Sequence, residues 1–299
     1  MLPENTNGGR KENNMIKESN ILIAGGDMRQ IYCAKRLSLD LPTAVIGFDN
    51  EFIPLEMNDM KTDTMQKHCY DCVVLPVIPL DENGMLNTPY SSSELRPEYI
   101  RDMLRTDAAV FVGKADERLR SIFSGFGIYE YLNREELSLK NAVPTAEGAV
   151  QIALEELPVT INGLRVLIVG LGRIGTALAA VLKGFGADVT AAVRSERGTA
   201  KARIAGIRHI SSLNIDGSYD LVFNTVPELI FDRGSLTQFS DTTLFIDLAS
   251  KPGGIDFEAA RELGIKAVWA LGLPGKTAPV TAGEIIAETI ETMLAERGL

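Results

Sequence analysis

The stretch RVLIVGLGRIG at residues 165–175 decides the fold of the second half of the chain. Its first five residues are an apolar run typical of a buried parallel strand, and residues 173–185 have the amphipathic spacing of a helix. Glycines stand between them at the G-x-G-x-x-G spacing. The first makes a tight turn, the second admits a pyrophosphate, and the third lets the helix pack on the strand. We therefore predict a dinucleotide site formed by Gly170, Leu171, Gly172, Arg173, Ile174 and Gly175.

Apolar runs alternate with helical segments along the rest of this half, a pattern typical of parallel strands joined by crossover helices. The alternation predicts a doubly wound parallel sheet, that is, an NAD(P)-binding Rossmann domain at residues 159–280. The predicted strands cover residues 165–169, 188–193, 219–224, 243–248 and 265–270, and the predicted helices cover 173–185, 196–205 and 256–263.

The first half alternates in the same way and predicts a flavodoxin-like α/β domain at residues 20–143. A helix at residues 144–158 is expected to bridge the two domains, and a C-terminal helix at residues 281–299 is expected to pack back on the first. Residues 1–19 are polar and are expected to form a mobile tail. The predicted elements are strands at 21–24, 43–48, 72–75 and 108–112, and helices at 28–38 and 93–104, the latter with a capping box of Ser91 and Glu94.

The residue that follows the second strand of the Rossmann domain indicates which cofactor is bound. An NAD enzyme usually carries Asp or Glu there to accept hydrogen bonds from the adenosine ribose. This chain has Arg194 followed by Ser195, and an arginine forms a charge-assisted pair with a 2′-phosphate. NADP is therefore favoured over NAD, and a solvated surface arginine without a role in binding is the other alternative. Thr225 and Pro227, after the third strand, are also assigned to the cofactor.

Candidate substrate ligands lie in the loops that follow the strands, because ligands of such sheets bind outside the carboxyl ends. Lys251 and Lys276 stand among glycines and prolines and are predicted to bind substrate carboxylates, with Lys251 also a catalytic candidate. Arg29, after the first strand of the chain, is a third candidate. Glu147 is the candidate general base, since neither of the two histidines lies on a loop near the expected nicotinamide.

The charge and composition of the chain argue against several kinds of binding partner. The chain has 299 residues and a net charge of −10, without a cluster of basic residues, which argues against nucleic acid and anionic membranes. The sequence has neither a long apolar stretch nor a signal peptide, so a cytoplasmic protein is expected. Three cysteines do not make a disulfide framework, and the pair Cys69 and Cys72 lacks further ligands for zinc, so we expect no metal.

Six motifs together resemble the A subunit of dipicolinate synthases of endospore-forming bacteria, and the resemblance runs through nearly the whole chain after the tail. GLGRIG is shared with other dehydrogenases, whereas the combination of DLASKPGG with GLPGKTAPVTAG is far more specific. The motifs are IAGGDMRQ at 23–30, VPTAEG at 143–148, GLGRIG at 170–175, NTVP at 224–227, DLASKPGGIDF at 247–257 and GLPGKTAPVTAG at 272–283.

The resemblance implies NADP-dependent oxidation of dihydrodipicolinate to dipicolinate, together with the flavoprotein-like B subunit of dipicolinate synthase, in the mother cell during sporulation. It implies a small dicarboxylate substrate and leaves a homo-oligomer open. Two other interpretations compete with this one. GLGRIG alone also suits a hydroxyacid dehydrogenase-like reductase. The scarcity of acid–base residues suits a non-catalytic nucleotide-binding partner of the B subunit.

Overall fold

The computed structural model describes residues 20–62 and 67–298. The expected tail at residues 1–19 lies outside the described residues. The chain divides into two compact units, one comprising the described residues up to 138 and from 279 onward, and the other comprising residues 139–278. In chain order the strands are β1 Ile21–Ala24, β2 Thr43–Ile46, β3 Tyr70–Val74, β4 Leu104–Val112, β5 Gly127–Glu130, β6 Arg165–Val169, β7 Asp188–Val193, β8 Arg208–Ser211, β9 Leu221–Asn224, β10 Leu244–Asp247 and β11 Lys266–Trp269.

The described residues also form ten α-helices. They are α1 Met28–Leu37, α2 Pro97–Met103, α3 Glu117–Ile122, α4 Glu135–Glu156, α5 Arg173–Gly184, α6 Glu196–Ala205, α7 Arg233–Leu236, α8 Phe257–Glu262, α9 Leu273–Thr277 and α10 Pro279–Ala295. Among the described residues, these helices include none that is long and apolar enough to cross a membrane.

The first unit is built on a parallel sheet of strand order β2-β1-β3-β4-β5. This is the flavodoxin-like order, so the predicted fold of the first half is confirmed. The fifth strand, β5, is absent from the sequence prediction. It lies at the edge of the sheet with half-exposed side chains, and it therefore lacks the apolar run that marks the others.

The start of α2 corrects one prediction. The helix begins at Pro97, not at residue 93, because a residue that precedes proline is driven out of the helical region, and Arg96 has an extended backbone. The Ser91 hydroxyl donates to the carbonyl of Ser93, so the predicted capping box of Ser91 and Glu94 does not form.

Helix α10 packs on α1 within the first unit. Ile286 and Ile290 lie in the same apolar cluster as Ile31 of α1. A Cβ added at Gly283 would lie 2.5 Å from the carbonyl oxygen of Arg29, so only glycine allows the two helices to approach this closely. An ion pair of Arg36 with Glu291, at 3.0 Å, joins the two helices further along.

The second unit contains six parallel strands in the order β11-β10-β9-β6-β7-β8. This is the Rossmann order, and it confirms the predicted doubly wound sheet. Val169, Asn224, Asp247 and Trp269 stand in register across four neighbouring strands, so their loops leave the sheet at one level. Strand β8 is a sixth strand of this sheet, in addition to the five strands predicted from the sequence.

Helix α4 is longer than predicted. It begins at Glu135, whereas the sequence predicts that the bridging helix starts at residue 144. Proline is common at the first position of a helix, which is why Pro144 suggests a boundary in the sequence. In the structure Pro144 lies inside the helix, and the boundary between the two compact units falls within α4, after residue 138.

Candidate functional site

The glycine-rich turn after β6 has one open face. Gly170 has a φ of +87°, and a Cβ there would lie 2.6 Å from Thr225 Oγ1. A Cβ at Gly175 would lie 2.1 Å from the carbonyl oxygen of Gly170. A Cβ at Gly172, in contrast, would meet no atom within 4 Å. Gly170 and Gly175 are therefore required by the fold of the turn, whereas the space beside Gly172 is open, as close approach of a pyrophosphate to the backbone would require.

Helix α5 starts directly at this open face. Gly172 is its N-cap and contributes no side-chain cap, and the first turn of the helix contains no acidic residue. The N–H groups and the dipole of this 12-residue helix therefore favour an anion. Leu171 is buried, Ile174 is half-buried and Arg173 is exposed, so of these three side chains Arg173 is the most accessible to a ligand.

Thr225 holds the turn in place from the neighbouring strand. Its hydroxyl donates to the carbonyl oxygen of Val169 at 2.9 Å, with the carbonyl of Gly170 at 3.2 Å. Thr225 thus fixes the backbone of the glycine turn, and Pro227 is exposed two residues later.

The end of β7 carries Arg194 where an NAD enzyme usually has a carboxylate. Arg194 Nη1 donates to Glu228 Oε2 at 2.8 Å, an ion pair that links the loops after β7 and β9. Ser195 caps α6 by accepting from the Gly198 N–H at 3.3 Å. A cavity of about 320 Å³ adjoins them, lined by Val193, Arg194, Ser195, Glu196, Thr199, His209, Ile210 and Ser211.

A buried carboxylate, missed in the sequence, organises the loops after β9 and β10. Asp247 is fully buried and accepts hydrogen bonds from the N–H groups of Ala249 at 3.0 Å and Gly254 at 2.7 Å. It also accepts from Asn224 Nδ2 at 2.8 Å, and Asn224 in turn exchanges hydrogen bonds with the backbone of Val226. The signal in the sequence is a carboxylate that ends an otherwise apolar strand.

This network fixes the loop that carries Lys251. The two N–H groups that donate to Asp247 lie on either side of residues 250–253, so the loop is closed at its base. Trp269 Nε1 donates to the carbonyl of Ala249 at 3.0 Å and ties the same loop to β11. Lys251 is exposed at the tip and, among residues 20–62 and 67–298, forms no ion pair.

The other candidates of the second unit lie on neighbouring helices. A Cβ added at Gly148 of α4 would lie 2.5 Å from Thr277 Oγ1 of α9, so the two helices are in close contact. Glu147 of α4 is exposed beside this contact, and Lys276 of α9 is also exposed there. The fold thus places Glu147 and Lys276 on adjacent helices.

Arg29 in the first unit is engaged with its neighbour. Its Nη2 lies 2.6 Å from Asp27 Oδ2 and its Nε 2.9 Å from Oδ1, and only 14% of its side chain is exposed. Burial raises the pKa of the Asp27 carboxyl, but the hydrogen bonds and charge of Arg29 outweigh burial, and the pKa is lowered overall. Asp27 also caps α1. An anion that binds Arg29 therefore competes with Asp27.

Two of the three cysteines, Cys33 and Cys72, are buried. Burial raises the pKa of the Cys72 thiol to about 12 and also raises that of Cys33, so both are poor nucleophiles. Within the part of the chain that the structure describes, no group of three or more His, Cys, Asp or Glu side chains is arranged to hold a metal ion.

Comparison with known proteins assigns the two units. A family profile for the N-terminal domain of the dipicolinate synthase A subunit matches residues 20–131, and one described as D-isomer specific 2-hydroxyacid dehydrogenase, NAD binding domain matches residues 140–252. The chain is 30% identical to the dipicolinate synthase A subunit of Bacillus subtilis (strain 168), over 94% of this chain and 98% of the relative. The chain belongs to the family of dipicolinate synthase A subunits.

Solved structures of dipicolinate synthase A subunits agree with this assignment. The protein from Bacillus halodurans matches with a TM-score of 0.84 and 29% identity, over 94% of this chain and 99% of that chain. The Bacillus subtilis structure matches with a TM-score of 0.82 and 29% identity, over 95% and 98%. A transhydrogenase from Sinorhizobium meliloti, at 16% identity and a TM-score of 0.71, over 93% of this chain and 94% of that chain, shares the fold. The predicted resemblance to dipicolinate synthase A subunits is confirmed.

The matched domain indicates the class of chemistry. An NAD-binding domain of the dehydrogenase type indicates an oxidoreductase with a nicotinamide cofactor. The residues of the chain fit such a cofactor, because the open face at Gly172 and the uncapped start of α5 provide the anion cradle that its pyrophosphate requires.

Proposed function

We propose that this chain is the NADP-dependent dehydrogenase subunit that oxidises dihydrodipicolinate to dipicolinate, pyridine-2,6-dicarboxylate. The observation that carries the proposal is a contrast among the three glycines of the turn. A Cβ added at Gly172 would meet no protein atom within 4 Å, whereas one added at Gly170 or Gly175 would clash with neighbouring atoms. Family membership supports the choice of substrate, since the relatives are named for dipicolinate synthesis. The nicotinamide supplies the hydride acceptor when it is bound.

The proposed cofactor contacts divide between two loops. The backbone of Gly170, Leu171 and Gly172 and the first turn of α5, with Arg173, Ile174 and Gly175, hold the pyrophosphate. Arg194 and Ser195 bind the 2′-phosphate of NADP, and a guanidinium suits a dianion better than the carboxylate of NAD enzymes does. Thr225 supports the turn, and Pro227 lines the cofactor side of its loop.

The proposed substrate contacts match the two carboxylates of a dihydropyridine dicarboxylate. Lys251 and Lys276 each provide an exposed ammonium group at the carboxyl end of the Rossmann sheet. Arg29 is a third proposed carboxylate ligand, which requires it to leave Asp27. Glu147 is the proposed base for the proton that is lost with the hydride. Aromatisation favours the products, so correct positioning by these residues outweighs the strength of the base.

We further propose that the chain acts with the B subunit of dipicolinate synthase in the mother cell during sporulation. Support comes from the relatives, which are named as one subunit of a synthase and not as the whole enzyme.

The direct test is turnover. The chain is incubated with freshly generated dihydrodipicolinate and NADP⁺, with and without the B subunit, while dipicolinate is followed by its ultraviolet absorbance. We expect NADP⁺-dependent formation above the spontaneous rate with the chain alone. Formation only when the B subunit is added would favour the nucleotide-binding partner. Oxidation of NAD(P)H by a panel of 2-oxo acids, without dipicolinate formation, would favour the reductase, which the hydroxyacid dehydrogenase profile keeps as the second candidate.

Replacing Arg194 with Asp is expected to weaken NADPH binding about tenfold to a hundredfold, because one charge-assisted interaction is lost and a like charge is added. NADH binding is expected to change by less than about threefold, since NADH has no 2′-phosphate. Fluorescence titration of both nucleotides measures the two effects. Equal losses for NADPH and NADH would contradict the assignment of Arg194 to the 2′-phosphate.

A further inference from the structure

An ion pair crosses the carboxyl end of β6. Strand β6 pairs with β7 on one side and with β9 on the other. Arg194 follows β7 and Glu228 lies in the loop after β9, yet their side chains meet at 2.8 Å. The pair therefore spans the strand whose end carries the glycine turn. Both side chains are largely accessible, with 71% of Arg194 and 56% of Glu228 exposed.

The partner of Arg194 is an anion, as is the 2′-phosphate that Arg194 is proposed to bind. A guanidinium binds carboxylate and phosphate oxygens through the same fork of N–H donors. With Nη1 on Glu228, Arg194 offers that donor to a nucleotide only when the ion pair breaks. A displaced Glu228 carboxylate stays in the same region and repels a phosphate dianion.

We propose that Glu228 is a specificity-determining residue that lowers the affinity of the chain for NADP(H) relative to NAD(H). This inference rests on the proposed NADP site. Glu228 competes with the 2′-phosphate for Arg194 and adds repulsion that NAD(H) does not feel. The chain thereby keeps a weaker preference for NADP(H) than its arginine alone would produce, and it releases the phosphorylated nucleotide more readily.

The expected change in NADPH affinity follows from the exposure of the ion pair between Arg194 and Glu228. Exposed ion pairs are weak and correspond to about a 1.5-fold to fivefold change in an equilibrium constant. Glu228→Gln also removes the repulsion between the carboxylate and the 2′-phosphate, which tightens NADPH binding further at low ionic strength. Salt screens this repulsion, so the additional gain is smaller at high ionic strength. We therefore expect Glu228→Gln to tighten NADPH binding about threefold to tenfold at low salt, and by a smaller factor at high salt.

The experiment measures dissociation constants of NADPH and NADH by fluorescence titration for four variants of the full chain beside the wild type. Glu228→Gln removes the charge. Glu262→Gln is the matched control, since Glu262 forms an exposed ion pair with Arg233 on helices outside this loop pair. The variants Arg194→Gln and Arg194→Gln/Glu228→Gln test whether the effect acts through Arg194.

We expect Glu228→Gln to tighten NADPH binding and to change NADH binding by less than about twofold. Glu262→Gln should change neither, and in the Arg194→Gln background the gain for NADPH should shrink. Unchanged or weaker NADPH binding in Glu228→Gln, or equal tightening of both nucleotides, would overturn the role of Glu228. A wild-type chain that binds neither nucleotide would instead overturn the proposed cofactor site itself.

Discussion

Replacing Gly172 with Ala is expected to weaken NADPH binding about thirtyfold while leaving the thermal stability of the protein unchanged. A Cβ at this position meets no protein atom within 4 Å, and its φ of −78° and ψ of −156° are open to alanine. The fold therefore accepts the methyl group. The pyrophosphate does not, because overpacking at a close contact costs about 2 kcal/mol, which is about thirtyfold in affinity.

Two glycines of α5, Gly175 and Gly184, provide the controls for this prediction. Gly184, at the other end of α5, also has open space around an added Cβ, so Gly184→Ala should change neither stability nor binding appreciably. Gly175→Ala should lower the melting temperature, since its Cβ would lie 2.1 Å from the carbonyl oxygen of Gly170. Differential scanning calorimetry and NADPH titration of the three variants separate the effects. Wild-type affinity in Gly172→Ala would show that the open face is not the pyrophosphate site.

Replacing Asp247 with Ala is expected to destabilise the second unit by about 3 kcal/mol or more and to abolish cofactor binding. The substitution leaves the N–H groups of Ala249 and Gly254 buried without their acceptor. One N–H of Asn224 Nδ2 also loses its acceptor, while the nitrogen still donates to the carbonyl of Val226. Each buried donor left without a partner costs about 1–3 kcal/mol. The chain's single tryptophan, Trp269, is hydrogen-bonded to the same loop, so its fluorescence during urea unfolding reports the change locally.

Two control variants accompany Asp247→Ala: one removes the charge of Asp247, and the other removes a different, exposed aspartate. Asp247→Asn keeps the shape of the side chain but turns an amide N–H toward a backbone N–H donor, and it should have an intermediate effect of about 1–3 kcal/mol. Asp241→Ala removes an exposed carboxylate just before β10 and should cost less than about 0.5 kcal/mol. If Asp247→Ala unfolded at the same urea concentration as Asp241→Ala, the carboxylate would not be what holds these loops.

Features that depend on local sequence were predictable. The strand, the three glycines and the helix at residues 165–185 are adjacent in the chain. The spacing of the glycines alone indicates the steric reason why each position requires glycine. The alternation of apolar runs with helical segments likewise predicted both parallel sheets. Local patterns were less reliable at element ends. Pro97 starts a helix, whereas Pro144 lies inside one, and packing around each residue decides between the two.

Contacts between side chains that are distant in the chain were not predicted. Asn224 and Asp247 are 23 residues apart and meet only because β9 and β10 are neighbours in the sheet. Arg194 and Glu228 are 34 residues apart and meet only because β7 and β9 flank β6. The cation at the end of β7 was visible in the sequence, but the carboxylate that pairs with it was not.

Transfer of hydride from dihydrodipicolinate to NADP⁺ by this chain can be measured directly with an isotope label. Dihydrodipicolinate carrying deuterium on its saturated ring carbons is mixed with NADP⁺ and the purified chain, without a partner subunit. Mass spectrometry then measures the label in the reduced nucleotide, and absorbance measures dipicolinate. We predict one deuterated NADPH for each dipicolinate formed. Dipicolinate formed without label in the nucleotide, or no dipicolinate above the spontaneous rate while NADPH still binds, would contradict a dehydrogenase role for this chain.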